Sequence, residues 1–178
     1  MRKMFCCVGL FSMSVLLSSV AVAKEARNYK INASRNVPSE CDQVVDNLVS
    51  NCGFETGGFD SWAQSGDLSF SSVDFLPHSG NFAAVMGPVN DLGFLTQNLP
   101  TTADQSYTLS FWLANSFTPN RFQVSWDGGV IFDATDLPDQ PYTLTVFEGL
   151  VASADGTDVQ FGFYNVPDYI DLDDVVVN

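Results

Sequence analysis

Between Glu40 and Asp174 the chain carries twenty carboxylates and one base, Arg121. Two groups of those acids stand out. Glu55 lies inside Gly53-Phe54-Glu55-Thr56-Gly57-Gly58, and Asp171, Asp173 and Asp174 crowd an apolar run from Tyr169 to Val177. Acids beside glycine turns are the donor set of a calcium site, because Ca2+ takes about six to eight oxygens from carboxylates and bent backbone. The first and last strands of a sandwich are often neighbours, so the two groups could meet. Solvated acids at a strand end are the alternative. Zinc is disfavoured, since the donors are oxygens and the only histidine, His78, has no partner in the sequence pattern. Paired carboxylates also serve glycosidases. Here they fall in turns or in the expected metal site, and one histidine without an activated serine or cysteine makes no triad. No catalytic residue is expected, and the chain is read as a non-enzyme.

A second set of residues could bind rather than react. In "SYTLSFWLAN", Tyr107, Leu109, Phe111 and Leu113 alternate with Thr108, Ser110, Trp112 and Ala114. "RFQVSW" and "DVQFGFYN" alternate likewise, setting Gln123, Ser125, Gln160 and Tyr164 opposite the apolar phase. With Asn115, Asn120 and Arg121 on adjoining loops, the polar phase reads as aromatics among amides and hydroxyls, nearly without charge. Flat rings stack on the apolar face of a sugar while amides bond its hydroxyls. The expected glycan-binding residues are Trp112, Tyr164, Gln123, Gln160, Asn120 and Arg121. For Trp112 two readings stand open: a stacking platform, or a ring covered by a loop or the N-terminal arm. Trp62 and Trp126 read as structural.

These segments must be held by strands. Further strands are expected at 47–52, 68–74, 82–87, 92–98, 129–133, 142–151 and 169–177, separated by turns such as Gly57-Gly58, Asp127-Gly128-Gly129 and Ala154-Asp155-Gly156. Many short strands with regular turns and no convincing helix predict an all-β sandwich. If Ile170 and Leu172 face its core, a bulge within Asp173-Asp174 keeps Val175 and Val177 in the apolar phase.

The compartment follows from the first residues. Arg2 and Lys3, an apolar run from Met4 to Val22 and the small residues Ala21-Val22-Ala23 describe a secretory signal peptide over residues 1–23. A polar arm over 24–45 and one domain over 46–178 follow. With Cys6 and Cys7 in the signal, Cys41 and Cys52 remain, and an oxidising compartment makes them a disulfide. The acidic surface excludes nucleic acid and anionic lipid as partners and suits neutral ligands and bound cations. A monomer is expected, secreted to the periplasm or beyond the cell and free of the membrane after cleavage.

Several of these stretches resemble one family. "NLVSNCGFETGGFDSW", "PHSGNFAAVMG", "YTLSFWLAN" and "YIDLDDVVV" are similar, in that order, to segments of the carbohydrate-binding domains of the CenC type (families 4, 9 and 22). Residues 87–133 also resemble small secreted bacterial proteins with PEP-CTERM sorting tails, although no Pro-Glu-Pro motif follows the last strand here. Cys52 replaces the first glycine of the opening motif. The resemblance implies a galactose-binding-like jelly roll, oligosaccharide or polysaccharide binding, and a structural calcium. It places the ligand of the acid pair at Asp173, to join Glu55 from the glycine turn, with backbone carbonyls of residues 79–81 and of Asp174 as further expected donors. An adhesion or matrix protein binding other proteins is the alternative function, and a glycoside hydrolase a more distant one.

Overall fold

The computed structural model describes residues 38–178; the expected signal peptide and most of the arm lie outside them. Ten strands follow a 3-10 turn at Cys41–Gln43: β1 Ala63–Gly66, β2 Ser71–Asp74, β3 Ala83–Met86, β4 Gly93–Leu99, β5 Ser106–Asn115, β6 Asn120–Trp126, β7 Gly129–Thr135, β8 Gln140–Val151, β9 Thr157–Asn165 and β10 Ile170–Val177. They form two five-stranded sheets, ordered β1-β4-β9-β6-β7 and β2-β3-β10-β5-β8. Every pairing is antiparallel. This is the jelly-roll sandwich.

The alternation in the sequence decides which side chains meet between the sheets. Phe111 from the second sheet packs edge-on against Phe122 and Phe161 from the first, and Phe163 leans on Phe122. All four rings are fully buried. Burying each contributes about 2–3 kcal/mol relative to exposure. The bulge expected near the end of the chain is present: the β10–β5 register shifts between Asp173 and Val176. Asp174 takes φ 49° there, and Val175 and Val177 return to the core.

Two expectations about the elements fail for local reasons. Residues 47–49 are irregular and 50–52 a turn, with Asn51 at φ 51°, a backbone no strand allows. The segment still completes a sheet by proxy. The side chain of Gln97 accepts from the Ser50 amide at 2.8 Å and donates to the Ser50 carbonyl at 3.0 Å, a ladder rung made by an amide side chain. Strand β1, by contrast, is absent from the sequence reading because Ala-Gln-Ser-Gly has no apolar phase and all four residues are exposed at the sheet edge. The folded unit also begins ahead of Asp46, since Ser39 and Cys41 are buried. Trp62 stacks on Phe54 and touches Phe161, and Trp126 is buried with its indole N–H on the Val151 carbonyl, so both are structural.

Gln97→Leu keeps the volume but leaves the Ser50 amide and carbonyl without partners. It should destabilise the protein by about 2 kcal/mol, read as a lower urea midpoint at unchanged m-value. An unshifted midpoint would show that the rung carries no stability.

Candidate functional site

The acids expected to hold a metal lie on the outer face of the second sheet, under the loop between β2 and β3. Asp173 and Asp174 are buried on the central strand β10, with no lysine or arginine of the described residues beside them. Amides of that loop supply the compensation. His78 and Ser79 donate backbone N–H bonds to Asp173 Oδ2 at 2.8 and 3.1 Å; Asn81 and Phe82 do the same to Glu55 Oε1 at 2.7 and 3.0 Å. Glu55 and Asp173 are therefore held by one five-residue strap.

The bonding saturates some oxygens and spares others. Asp174 Oδ1 accepts from Ser39 Oγ and the Cys41 amide, and its Oδ2 meets His78 Nδ1 and Ser79 Oγ at 2.8 and 2.6 Å. Burial opposes its charge, yet those hydrogen bonds prevail and hold its pKa below the ordinary carboxylate value. With every lone pair engaged, the Asp174 side chain is a scaffold rather than a ligand. Asp173 is the opposite case: burial, then the Asp174 charge, push it up to about 8. Its Oδ1 holds only the Asp174 amide, and Glu55 Oε2 holds only the Asn81 side-chain amide. One lone pair on each faces no donor. A trans peptide sets each carbonyl opposite the N–H of the following residue, so the carbonyls of Gly80 and Asn81 point away from Glu55. Glycine is required at both edges of this pocket. A Cβ on Gly80 would lie 2.3 Å from Glu55 Oε1, and one on Gly53 would lie 2.2 Å from Ser39 Oγ and 3.5 Å from Asp173 Oδ1. The oxygens of Glu55, Asp173 and Asp174 do not all lie within 4.8 Å of one another, whereas those of Glu40 and Asp174 and the His78 ring do. Among the described residues, Glu55 Oε2 and Asp173 Oδ1 keep acceptor capacity that a cation could use, whereas the Asp174 carboxylate does not.

His78 does have partners. Besides Asp174, its ring stacks on Trp112 at 3.7 Å and 13°, and Tyr142 closes edge-on at 5.7 Å. One face of Trp112 is thus covered by the β2–β3 loop. The residue as a whole is half-buried. The disulfide between Cys41 and Cys52 closes the same side.

The expected single glycan face does not exist as such. Trp112 belongs to the second sheet, while Gln123, Gln160, Tyr164 and Arg121 lie on the outer face of the first, on the opposite side of the sandwich. There the strands set Phe94, Gly162, Gln123 and Asp133 in one row across β4, β9, β6 and β7, and Thr96, Gln160 and Ser125 in the next. The ring of Phe94 lies against Gly162, where a Cβ would come within 2.8 Å of it. Gln160 donates to Thr96 Oγ1 at 2.9 Å and Gln123 to Asp133 Oδ2 at 3.0 Å, which leaves both glutamine carbonyls outward. Arg121 grips Asp133 through two bonds, at 2.8 and 2.6 Å, and holds that carboxyl down at about 2.

At one end of this face, where Arg121 pairs with Tyr164 in register, an open cleft of about 480 Å³ is lined by Asn90, Asp91, Leu92, Pro119, Asn120, Arg121, Thr135, Asp136 and Tyr164. Asn120 forms its floor rather than a sugar contact. It is buried, with its amide on the Phe117 and Leu137 carbonyls and its oxygen on the Leu137 amide. The wall at Asn90 is set from afar. Asp67 accepts from Ser69, the Val89 and Asn90 amides and the Asn90 side chain, and these bonds, led by Ser69, depress its pKa strongly. Sequence reading missed Asn90, Asp91, Thr135 and Asp136 because they are loop and edge residues with no periodic signal.

No protein-family model matches this chain, and neither does any curated protein. Its fold has many counterparts among solved structures. TmCBM61, solved in complex with beta-1,4-galactotriose, superposes with a TM-score of 0.61 at 19% identity over 74% of this chain and 97% of its own. The K3 cleaved adhesin domain of Lys-gingipain from Porphyromonas gingivalis gives 0.56 at 17%, over 73% and 98%. The Clostridium thermocellum xylanase 10B CBM22-1–GH10 modules, complexed with xylohexaose, give 0.56 at 14%, over 74% and 28%. At such identities these likenesses establish the jelly roll.

Asp171, beside the acid pair on β10, has no hydrogen-bond partner among the described residues. Burial, with Asp168 and Asp74 adding, pushes it up to about 7. A raised acid binds its proton more tightly folded than unfolded, so stability falls as pH rises from about 4 to about 7. Asp171→Asn should therefore raise Tm by about 2–4 °C at a pH of about 8 and leave it unchanged below about 4. Equal melting curves at both ends would refute the assignment.

Proposed function

We propose that the protein is a secreted, non-catalytic glycan-binding module of CenC-like type with a structural calcium. The observation that carries this reading is the cleft at Tyr164 and Arg121, continuous with an outer face of exposed amides, a hydroxyl and the Phe94 ring. A sugar ring stacks on Tyr164, and the carbonyls of Gln123 and Gln160 accept from hydroxyls farther along the face. Arg121, clamped by Asp133, offers its remaining N–H groups in a fixed direction at no further ordering cost. Two of the similar structures were solved with oligosaccharides, beta-1,4-galactotriose and xylohexaose, which supports a carbohydrate ligand. The calcium, held by Glu55 and Asp173, would neutralise buried negative charge and tie the opening segment to β10.

A second reading, adhesion to protein, draws on the adhesin-domain likeness and on Leu144, Val146 and Val151, all exposed along the edge strand β8. A glycan array on the calcium-loaded protein separates the two. Tyr164→Ala should weaken binding to the array's best ligand by about 1–3 kcal/mol. Trp112→Ala should instead lower stability and leave affinity unchanged, because its ring packs under His78 on the other sheet. An array without ligands sinks the glycan reading and favours adhesion. Loss of affinity confined to Trp112→Ala would move the site to the second sheet.

The metal has its own test. Free calcium at about one hundred times its dissociation constant stabilises a one-site protein by about 2.7 kcal/mol. A chelator should lower Tm accordingly, and Asp173→Asn or Glu55→Gln should remove that response. A melting curve indifferent to chelator rules the site out.

A further inference from the structure

The cleft has a charge that its amides and ring do not explain. Asp91 and Asp136 both line it and both are exposed. One oxygen of Asp91 accepts from the Leu92 amide at 2.7 Å, and its other oxygen and the whole Asp136 carboxylate have no partner among the described residues. Asp136 is held in place by its backbone, at φ 54° with its amide on the Asn120 carbonyl at 2.8 Å. The one base in the cleft does not balance them. Arg121 is engaged through two nitrogens by Asp133, which lies on the sheet beside it, so the pair is neutral and the two cleft acids remain. Arg121 is also the only lysine or arginine among the described residues.

We infer that the cleft selects a glycan carrying protonated amines, an oligosaccharide of amino sugars, over neutral and acidic ones. The inference rests on the glycan-binding reading above and adds the ligand's charge. An ammonium group between two solvent-facing carboxylates gains attraction that salt screens. A uronate or sulfated sugar would meet the same acids as repulsion. Tyr164 adds to the preference, because its ring takes the apolar face of the sugar and leaves the amine at the rim, beside the acids. The clamp on Arg121 matters for the same reason: a free guanidinium would repel the amine.

The test compares glucosamine hexaose with its fully N-acetylated counterpart by calorimetry on the whole exported protein, in mildly acidic buffer that protonates the amines. At low salt the amine form should bind about tenfold more tightly, and the gap should close as salt rises. The double variant Asp91→Asn/Asp136→Asn should bring the ratio of the two affinities close to one. Asp46→Asn/Asp104→Asn removes equal charge from exposed positions elsewhere and should keep the ratio. Equal affinities for the two hexaoses, or a preference for the acetylated one, overturn the inference while the glycan-binding reading stands. A gap that both double variants reduce alike also overturns it, since the field would then belong to the whole domain. If neither hexaose binds but the array yields a neutral ligand, the inference alone falls; a blank array takes both.

Discussion

Two carboxylates buried side by side on a central strand, with no lysine or arginine of the described residues beside them, are the constraint on which this structure turns. Asp173 and Asp174 cannot keep charge in the interior unless donors are brought to them. The chain brings backbone amides from His78, Ser79, Cys41 and Asp174 itself, hydroxyls from Ser39 and Ser79, and the His78 ring. Those donors come from the segment before the first strand and the loop between the second and third. Satisfying one acid pair therefore fastens both segments to β10. The disulfide, the glycine at 53 and the glycine at 80 follow from the same close approach.

This fastening divides the molecule into a closed side and an open one. The strap that reaches Asp173 and Glu55 lays His78 on Trp112 and Tyr142 over His78, so part of the outer face of the second sheet is covered, while Leu144 and Val146 beside it stay exposed. The outer face of the first sheet has no such roof. Its side chains are instead arranged by one another: Phe94 against Gly162, Gln160 on Thr96, and Arg121 and Gln123 on Asp133. An ordered, open face loses little side-chain freedom when a ligand binds. Loops reinforce one end of it. Asp67 gathers the Val89-Asn90 amides from one side, and Asn120 ties the Phe117 and Leu137 carbonyls from the other. The cleft between them is the product of two unrelated hydrogen-bond clusters.

Much of this was legible in the residues. Period-two alternation in β5, β6 and β9 placed Phe111, Phe122, Val124, Phe161 and Phe163 in the core, because a strand can bury only one phase of its side chains. The bulge at Asp173-Asp174 followed from the need to bring Val175 and Val177 back to that phase. The disulfide followed from two cysteines in a chain whose opening residues read as an export signal. Where alternation is absent, so was the signal: β1 has no apolar phase, and residues 47–52, expected as a strand, form none, with Gln97 bonding Ser50 from another strand.

By itself, then, the sequence determined the fold class, the core, the cystine and the acids that need compensation, since each depends on local pattern or on composition. Which sheet a polar phase belongs to was decided only in the tertiary structure. Trp112 and Tyr164 are equivalent in pattern, both out of phase with the core, but the order of strands sends one under His78 and the other to an open cleft. Alternation reports inward against outward and carries nothing about which outward face. Likewise Asp174 reads as a ligand beside Asp173, and only the convergence of Ser39, Cys41, His78 and Ser79 on it shows its lone pairs to be filled. Those contacts span more than ninety residues of chain, and no local pattern encodes which distant groups will meet.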